Sequence, residues 1–170
     1  MEPLGHDERV AVARLRALLE LLPTALDRQL SGTGVTSFEY TLLEALHAAD
    51  LGRLRLTALA SRTNATLPRL SRVVTGLERK GLVTRAACEE DGRATNAVLT
   101  PAGAEAYLQA RPIYEGAVKE MILGNLDGES VGQLSTISYA VLTGLDPERR
   151  LAVTLEGAPE ECAADPIPHR

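Results

Sequence analysis

The sequence predicts a mainly α-helical fold carrying one small β-hairpin, and three observations point to it. Apolar residues recur at helical spacing through both the first and the last thirds of the chain. Two short β-rich runs, residues 82–87 and 95–100, flank the tight-turn dipeptide Asp91-Gly92. The composition of the 170 residues, 45% apolar, 24% charged and 3% aromatic, is that of an ordinary globular domain or one and a half. A chain of this length buries roughly 70% of its unfolded surface, so disorder, collagen and a disulfide scaffold are excluded.

Residues 8–30 place Leu15, Leu18, Leu19, Leu22 and Leu26 on one helical stripe, with Leu21 and Leu30 off it, so this helix is apolar on more than one side. Pro23 removes a hydrogen-bond donor there, and a kink near Leu22 is expected. The run SGTGV ends the pattern. Thr36 and Glu39 form a Thr-x-x-Glu capping box that opens a second helix reaching about Ala49, with Phe38, Leu42, Ala45 and Leu46 on one face. A short helix with its N-cap at Thr57 comes next, closed by the Asn64-Ala65 turn. Thr66 caps a fourth helix, in which Leu70, Val73, Val74 and Leu77 face a core and Arg69, Arg72, Gly76 and Arg79 share the opposite side. Lys80-Gly81 supplies a basic last turn and a glycine stop.

The hairpin comes after this stop, and Thr100-Pro101 starts a long helix with an N-cap and a proline at its first position, with Pro112 as a second kink point. Asp127 to about Leu145 forms one more helix, with Val131, Leu134, Ser138, Val141 and Leu145 in register. The tail, residues 146–170, stays open: Asp146-Pro147 can begin a short helix, whereas Leu151, Val153 and Leu155 alternate like a strand.

The net charge of -5 conceals a basic middle between acidic ends. Residues 53–93 hold nine basic groups against four acidic ones, whereas residues 1–52 hold four against eight and residues 115–170 four against ten. The cations therefore coincide with the short helix, the arginine-faced helix and the hairpin, the order of a winged helix-turn-helix domain.

With long apolar helices on both sides, that order resembles the MarR (multiple antibiotic resistance regulator) family of bacterial transcription factors. The segments that carry the resemblance are LTALASRTN, TLPRLSRVVTGLERKGLVTR and EEDGRATNAVLTPAG. Leu77, Glu78, Lys80, Gly81, Leu82, Val83 and Arg85 match the motif that ends the family's recognition helix; Asp91 and Arg93 match its wing, and Leu99, Thr100 and Gly103 the segment after the wing. Gly92 stands where the family often has a second arginine, and Glu89 and Glu90 make this wing acidic.

The resemblance implies a winged helix-turn-helix flanked by dimerisation helices. The expected divisions are 1–35 (N-terminal dimerisation helix), 36–100 (DNA-binding domain), 101–145 (C-terminal dimerisation helices) and 146–170 (tail). The partner would be double-stranded DNA, read by a cytoplasmic homodimer, a ligand-responsive repressor, on a pseudo-palindromic operator. Arg69 and Arg72 are the expected base readers, since arginine can bridge O6 and N7 of guanine. Thr66, Pro68, Ser71 and Thr75 join them at the start and along the side of the helix, with Arg79 towards its end. In the wing, Asp91 can aim Arg93 into the minor groove by a charge-assisted bond.

Leu15, Leu19, Val131, Leu134, Val141 and Leu142 are candidates for the dimer interface, or for an intramolecular core. The family's small aromatic or phenolic effectors imply a cleft that Phe38, Tyr40, His47 and Tyr114 can line. No cofactor is expected. His6, His47 and His169 with Cys88 and Cys162 show no metal-ligand spacing, and Glu89 and Glu90 oppose a thiolate at Cys88. An enzyme is disfavoured, for there is no phosphate loop, nucleophile elbow or carboxylate pair. No apolar run approaches a membrane span, and the acidic N-terminal segment does not read as a signal peptide. The remaining alternative is a winged-helix module that uses the same face to bind protein without specific DNA binding.

Overall fold

A computed structural model describes residues 2–87 and 94–155. Six helices and a three-stranded antiparallel sheet run in the order α1 (His6–Gln29), α2 (Ser37–His47), β1 (Arg53–Arg55), α3 (Leu56–Arg62), α4 (Leu67–Arg79), β2 (Val83–Ala87), β3 (Thr95–Leu99), α5 (Pro101–Met121) and α6 (Gly128–Leu145). The mainly α winged-helix architecture is the one the residue pattern predicts.

The core forms around α2. Tyr40, Leu42, Leu43 and Leu46 are fully buried and meet Leu59 of α3, Leu70, Val74 and Leu77 of α4, Val83 of β2, Ala97 of β3 and Ala110 of α5. The capping box at the start of α2 is present: Thr36 Oγ1 accepts from the Glu39 amide at 3.2 Å, and Glu39 accepts from the Thr36 amide at 2.9 Å. Asp27 of α1 accepts from the Ser37 amide at 2.7 Å, which ties the first helix to the same point. Both α1 and α5 remain helical through Pro23 and Pro112.

The expected hairpin is two strands of a three-stranded sheet in the order β1-β3-β2. Arg53–Arg55 pair with Asn96–Val98, with Leu54 opposite Ala97 and packed against the core. Extended backbone therefore runs straight into α3, which starts at Leu56 with Arg55 as N-cap; Thr57 lies inside the helix rather than capping it. Asn64, with φ 53°, then reverses the chain, and the Ala65 amide donates to the Ala60 carbonyl at 3.0 Å.

At the end of α4, Gly81 takes φ 72°. The Leu82 amide donates to the Leu77 carbonyl at 3.0 Å and the Gly81 amide to the Glu78 carbonyl at 2.9 Å, a complete Schellman motif. Thr100 fastens α5 to this corner, accepting from the Gly103 amide at 3.0 Å and donating to the Gly81 carbonyl at 2.8 Å. Gly103 itself is sterically required, because a Cβ there would lie 2.0 Å from the Leu82 carbonyl oxygen.

Helix α6, capped by Asp127, has no buried residue. Over residues 146–155 the chain after it takes neither of the two expected forms. A 3₁₀ turn, Ala152–Thr154, is organised by Asp146, whose carboxylate accepts from the Arg150 and Leu151 amides at 3.0 and 2.9 Å and from the Thr154 hydroxyl at 2.5 Å. Ser61 at the end of α3 donates to the Arg150 carbonyl at 2.5 Å, so the tail docks on the helix-turn-helix.

Candidate nucleic-acid interface

Helix α4 divides into two faces as its spacing requires. Leu70, Val74 and Leu77 are buried, while Pro68, Arg69, Arg72 and Arg79 are turned to the outside, and Thr66 at the N-cap is exposed beside them. Thr66 is in extended conformation but makes no side-chain capping bond. The amides of the first turn lack an intrahelical partner, and Pro68 removes one of those donors.

The cations of this face differ in how they are held. The Arg72 Nε lies 3.4 Å from the Pro68 carbonyl, a long contact within the helix's own first turns. Arg69 turns back, with its guanidinium carbon 4.2 Å from the centroid of the Phe38 ring on α2. Lys80 is engaged: its ammonium donates to both Glu39 oxygens at 2.8 and 2.7 Å and to the Gly34 carbonyl at 2.8 Å. That group, which also suits the helix C-terminus, therefore locks the end of α4 to the start of α2.

Ser71 and Thr75, expected to contact DNA, are half-buried and meet Arg85 of β2. The Arg85 guanidinium donates to the Ser71 carbonyl at 3.0 Å, to the Ser71 hydroxyl at 3.3 Å and to Thr75 Oγ1 at 3.1 Å, and it pairs with Glu78. One side chain of the sheet thus clasps successive turns of α4. Sequence reasoning places Arg85 in a motif without assigning it a role. The available signal was the run of polar groups at 71, 75 and 78, spaced along one side of α4.

A Cβ at Gly76 would have only Glu39 Oε1 nearby, at 3.9 Å, so no neighbour within the protein requires glycine there. Asp91 and Arg93 lie outside the described residues, as do Cys88, Cys162 and His169. No group of three or more metal-ligating side chains occurs among the described residues, and no helix among them is long and apolar enough to cross a membrane.

Of the four residues expected to line an effector cleft, Phe38 and Tyr114 border a cleft in the structure, whereas Tyr40 and His47 do not. A cleft of about 200 Å³ between α1, α2, α4 and α5 is bounded by Phe38 and Tyr114 together with Leu22, Pro23, Leu26, Ser37, Thr41 and Arg69. Tyr40 lies behind it in the core, stacked on Tyr114 at 4.1 Å between centroids and donating to Glu44 at 3.0 Å. His47 is elsewhere, its ring 4.6 Å from that of Tyr107. Burial, and then the Glu44 carboxylate, push the Tyr40, Tyr107 and Tyr114 hydroxyls upward, so all three stay protonated at neutral pH.

Comparison with known proteins agrees with this arrangement. The family model described as MarR family matches residues 32–94. Sco3205, a MarR family transcriptional regulator from Streptomyces coelicolor solved in complex with DNA, is 33% identical with a TM-score of 0.82, covering 86% of this chain and 92% of its own. AbsC, a MarR family transcriptional regulator from the same organism, is 28% identical with a TM-score of 0.81 over 86% of this chain and 99% of its own. The S. aureus MepR-DNA complex, 22% identical over 78% of this chain and 96% of that one, shares the fold with a TM-score of 0.72. No curated protein sequence matches. A third of the residues shared with Sco3205 over nearly the whole of both chains, on the same helix and hairpin framework, establishes that this chain belongs to the MarR family of transcriptional regulators.

Proposed function

We propose that the protein is a homodimeric, ligand-responsive repressor that binds a pseudo-palindromic DNA operator. The observation that carries this reading is the outer face of α4, where Thr66, Pro68, Arg69, Arg72 and Arg79 stand free of the core on a helix fixed from behind by Arg85 and Lys80. A rigid helix that presents arginines is suited to the major groove, and its first turn to a phosphate. The DNA in the structure of Sco3205 supports the same use of the family's fold here. Ser71 and Thr75 reach DNA only at the edge of the Arg85 clasp, and Asp91 and Arg93 complete the interface from the wing.

The dimer reading rests on apolar surface that the single chain leaves uncovered. Leu15 and Leu19 of α1 and Val131, Leu134 and Val141 of α6 are all exposed, and Leu142 is half-covered. An apolar face of this kind marks an interface. Residues 1–35 and 101–145 are then the dimerisation segments around a DNA-binding unit of residues 36–100. The cleft beside Phe38 is the effector site, its apolar walls and single cation matched to a small aromatic anion.

Fluorescence anisotropy with the duplex upstream of the protein's own gene and with a scrambled duplex, at 50 and 200 mM salt, tests the reading. A preference of about a thousandfold, with affinity falling as salt rises, is the expected result. Equal, weak binding to both, and to a library of genomic fragments, would favour the protein-binding alternative.

A further inference from the structure

The chain returns from the end of α6 to the helix-turn-helix through one short turn, built around a single carboxylate. Asp146 is the C-cap of α6 and is buried. It gathers the Arg150 amide, the Leu151 amide and the Thr154 hydroxyl. Thr154 is itself fully buried, and Leu151, Ala152 and Val153 are half-buried. Between them Arg149 takes φ 48°, a left-handed conformation that a residue with a side chain keeps only where its surroundings hold it.

The surface this turn meets is α3. The two pack together, and the Ser61 hydroxyl holds the Arg150 carbonyl at 2.5 Å. Helix α3 packs in turn on α4. The length of the closed path matters: α5 leaves the corner at Gly81 and runs for 21 residues, about 32 Å, and α6 comes back over 18 residues, about 27 Å. With no buried residue of its own, α6 is held at its start by the turn Leu123–Asn125 and at its end by the Asp146 turn. An arm fixed at one end can swing, whereas an arm fixed at both ends cannot.

We propose that the Asp146 turn is a brace between α6 and α3 that sets the separation of the two DNA-reading helices, with Asp146 and Ser61 as its positioning residues. The inference rests on the readings of α4 as the DNA-reading helix and of α6 as part of the dimer interface. It adds the residues that hold the angle between those two helices. With the brace closed, both copies of α4 stand at one separation before DNA arrives, so binding needs little ordering and one half-site spacing fits. With the brace open, each helix-turn-helix swings: affinity for the correct operator falls and tolerance of other spacings rises.

Three duplexes test this by anisotropy with the full-length protein: the one it selects from a random pool, the same duplex with two base pairs inserted at its centre, and one with a half-site scrambled. The insertion displaces one half-site by about 7 Å and turns it by roughly 70°. The wild type should lose at least tenfold on the insertion. Asp146→Asn should lose less than threefold, Ser61→Ala should at least halve the wild-type penalty, and Ser61→Thr, which keeps the hydroxyl, should restore it. Affinity for the duplex with one intact half-site should stay within twofold in all variants, and sedimentation velocity should show the same dimer.

A wild-type insertion penalty that persists in both Asp146→Asn and Ser61→Ala would overturn the brace, as would a wild type that loses less than threefold. Ser61 is half-buried at a helix end, so Ser61→Ala keeps the test open if Asp146→Asn unfolds. Equal losses on the selected and the half-site duplex would place the effect on the reading face and overturn the role in spacing. A pool that yields no preferred duplex, or a monomer in sedimentation, would instead overturn the DNA or dimer reading on which the brace depends.

Discussion

Gly103 and Gly76 both lie within helices, and their surroundings give them opposite tolerances. At Gly103 a methyl group would collide with the Leu82 backbone at 2.0 Å, so the start of α5 must move away from the turn after α4. Gly103→Ala should cost about 1–3 kcal/mol, and more if the helix cannot shift, measured by chemical denaturation. At Gly76 the space is open, and alanine should stabilise the helix by up to about 1 kcal/mol in the same assay. If Gly76 serves close approach to DNA, that variant should gain stability and lose DNA affinity together; a gain in stability with unchanged affinity would remove the glycine from the interface. For the arginines, Arg72→Ala should weaken specific binding more than non-specific binding, by about 1–3 kcal/mol of discrimination. Arg62→Ala, at the end of α3, should weaken both to a similar degree, and equal patterns of loss in the two variants would argue against base reading by Arg72.

Among the elements, the Asp146 turn joins the end of α6 to α3. Hydrogen bonding, first from the Thr154 hydroxyl and then from the Leu151 amide, holds the Asp146 carboxyl below the usual carboxylate range. A carboxyl with a lowered folded pKa contributes its stability fully above the ordinary value of about 3.9 and loses it as pH falls through the folded value. Hydrogen exchange at the Arg150 and Leu151 amides should therefore accelerate in that acidic window after allowance for the intrinsic rate. Asp146→Asn should show the faster exchange already at neutral pH, and unchanged protection in that variant would mean that the carboxylate is not what orders the tail.

This turn was not legible in the sequence, where Leu151, Val153 and Leu155 imitate a strand, because one carboxylate gathers groups from four to eight residues away. Strand β1 was hidden for a related reason. Three residues, Arg-Leu-Arg, carry too little alternation to be read, and only pairing with the distant Asn96–Val98 makes them a strand. By contrast, the caps at Thr36 and Thr100 and the two faces of α4 were readable, since each is fixed by residues within one or two turns. The site was legible to the same extent: spacing placed Arg69 and Arg72 on one outer face, and the polar run at 71, 75 and 78 marked a side of α4 that needs a partner, but the identity of that partner, Arg85, and the lean of Arg69 over Phe38 are set by tertiary packing.

For the protein as a unit, the proposed dimer gives the exposed apolar surface of α1 and α6 a use. Leu19 is 69% exposed and Ile137 63%, values that a lone soluble chain would not place on two long helices without a use for them. Leu134→Lys, on the same exposed helix as Ile137, should shift the protein from dimer to monomer in sedimentation velocity and should also reduce operator affinity steeply, because two half-sites would no longer be held by one molecule. A dimer that persists with full affinity would move the interface elsewhere.

All of these expectations depend on two copies of α4 reading DNA sequence from a two-fold assembly. The decisive measurement is selection of duplexes from a random pool by the purified full-length protein, with the affinity of the selected duplexes then determined at fixed salt. A pseudo-palindrome whose half-sites lie about 34–36 Å apart should be enriched, and its affinity should stand about a thousandfold above that of a scrambled duplex. A pool that never converges, with binding that depends on salt alone, would contradict sequence reading by α4.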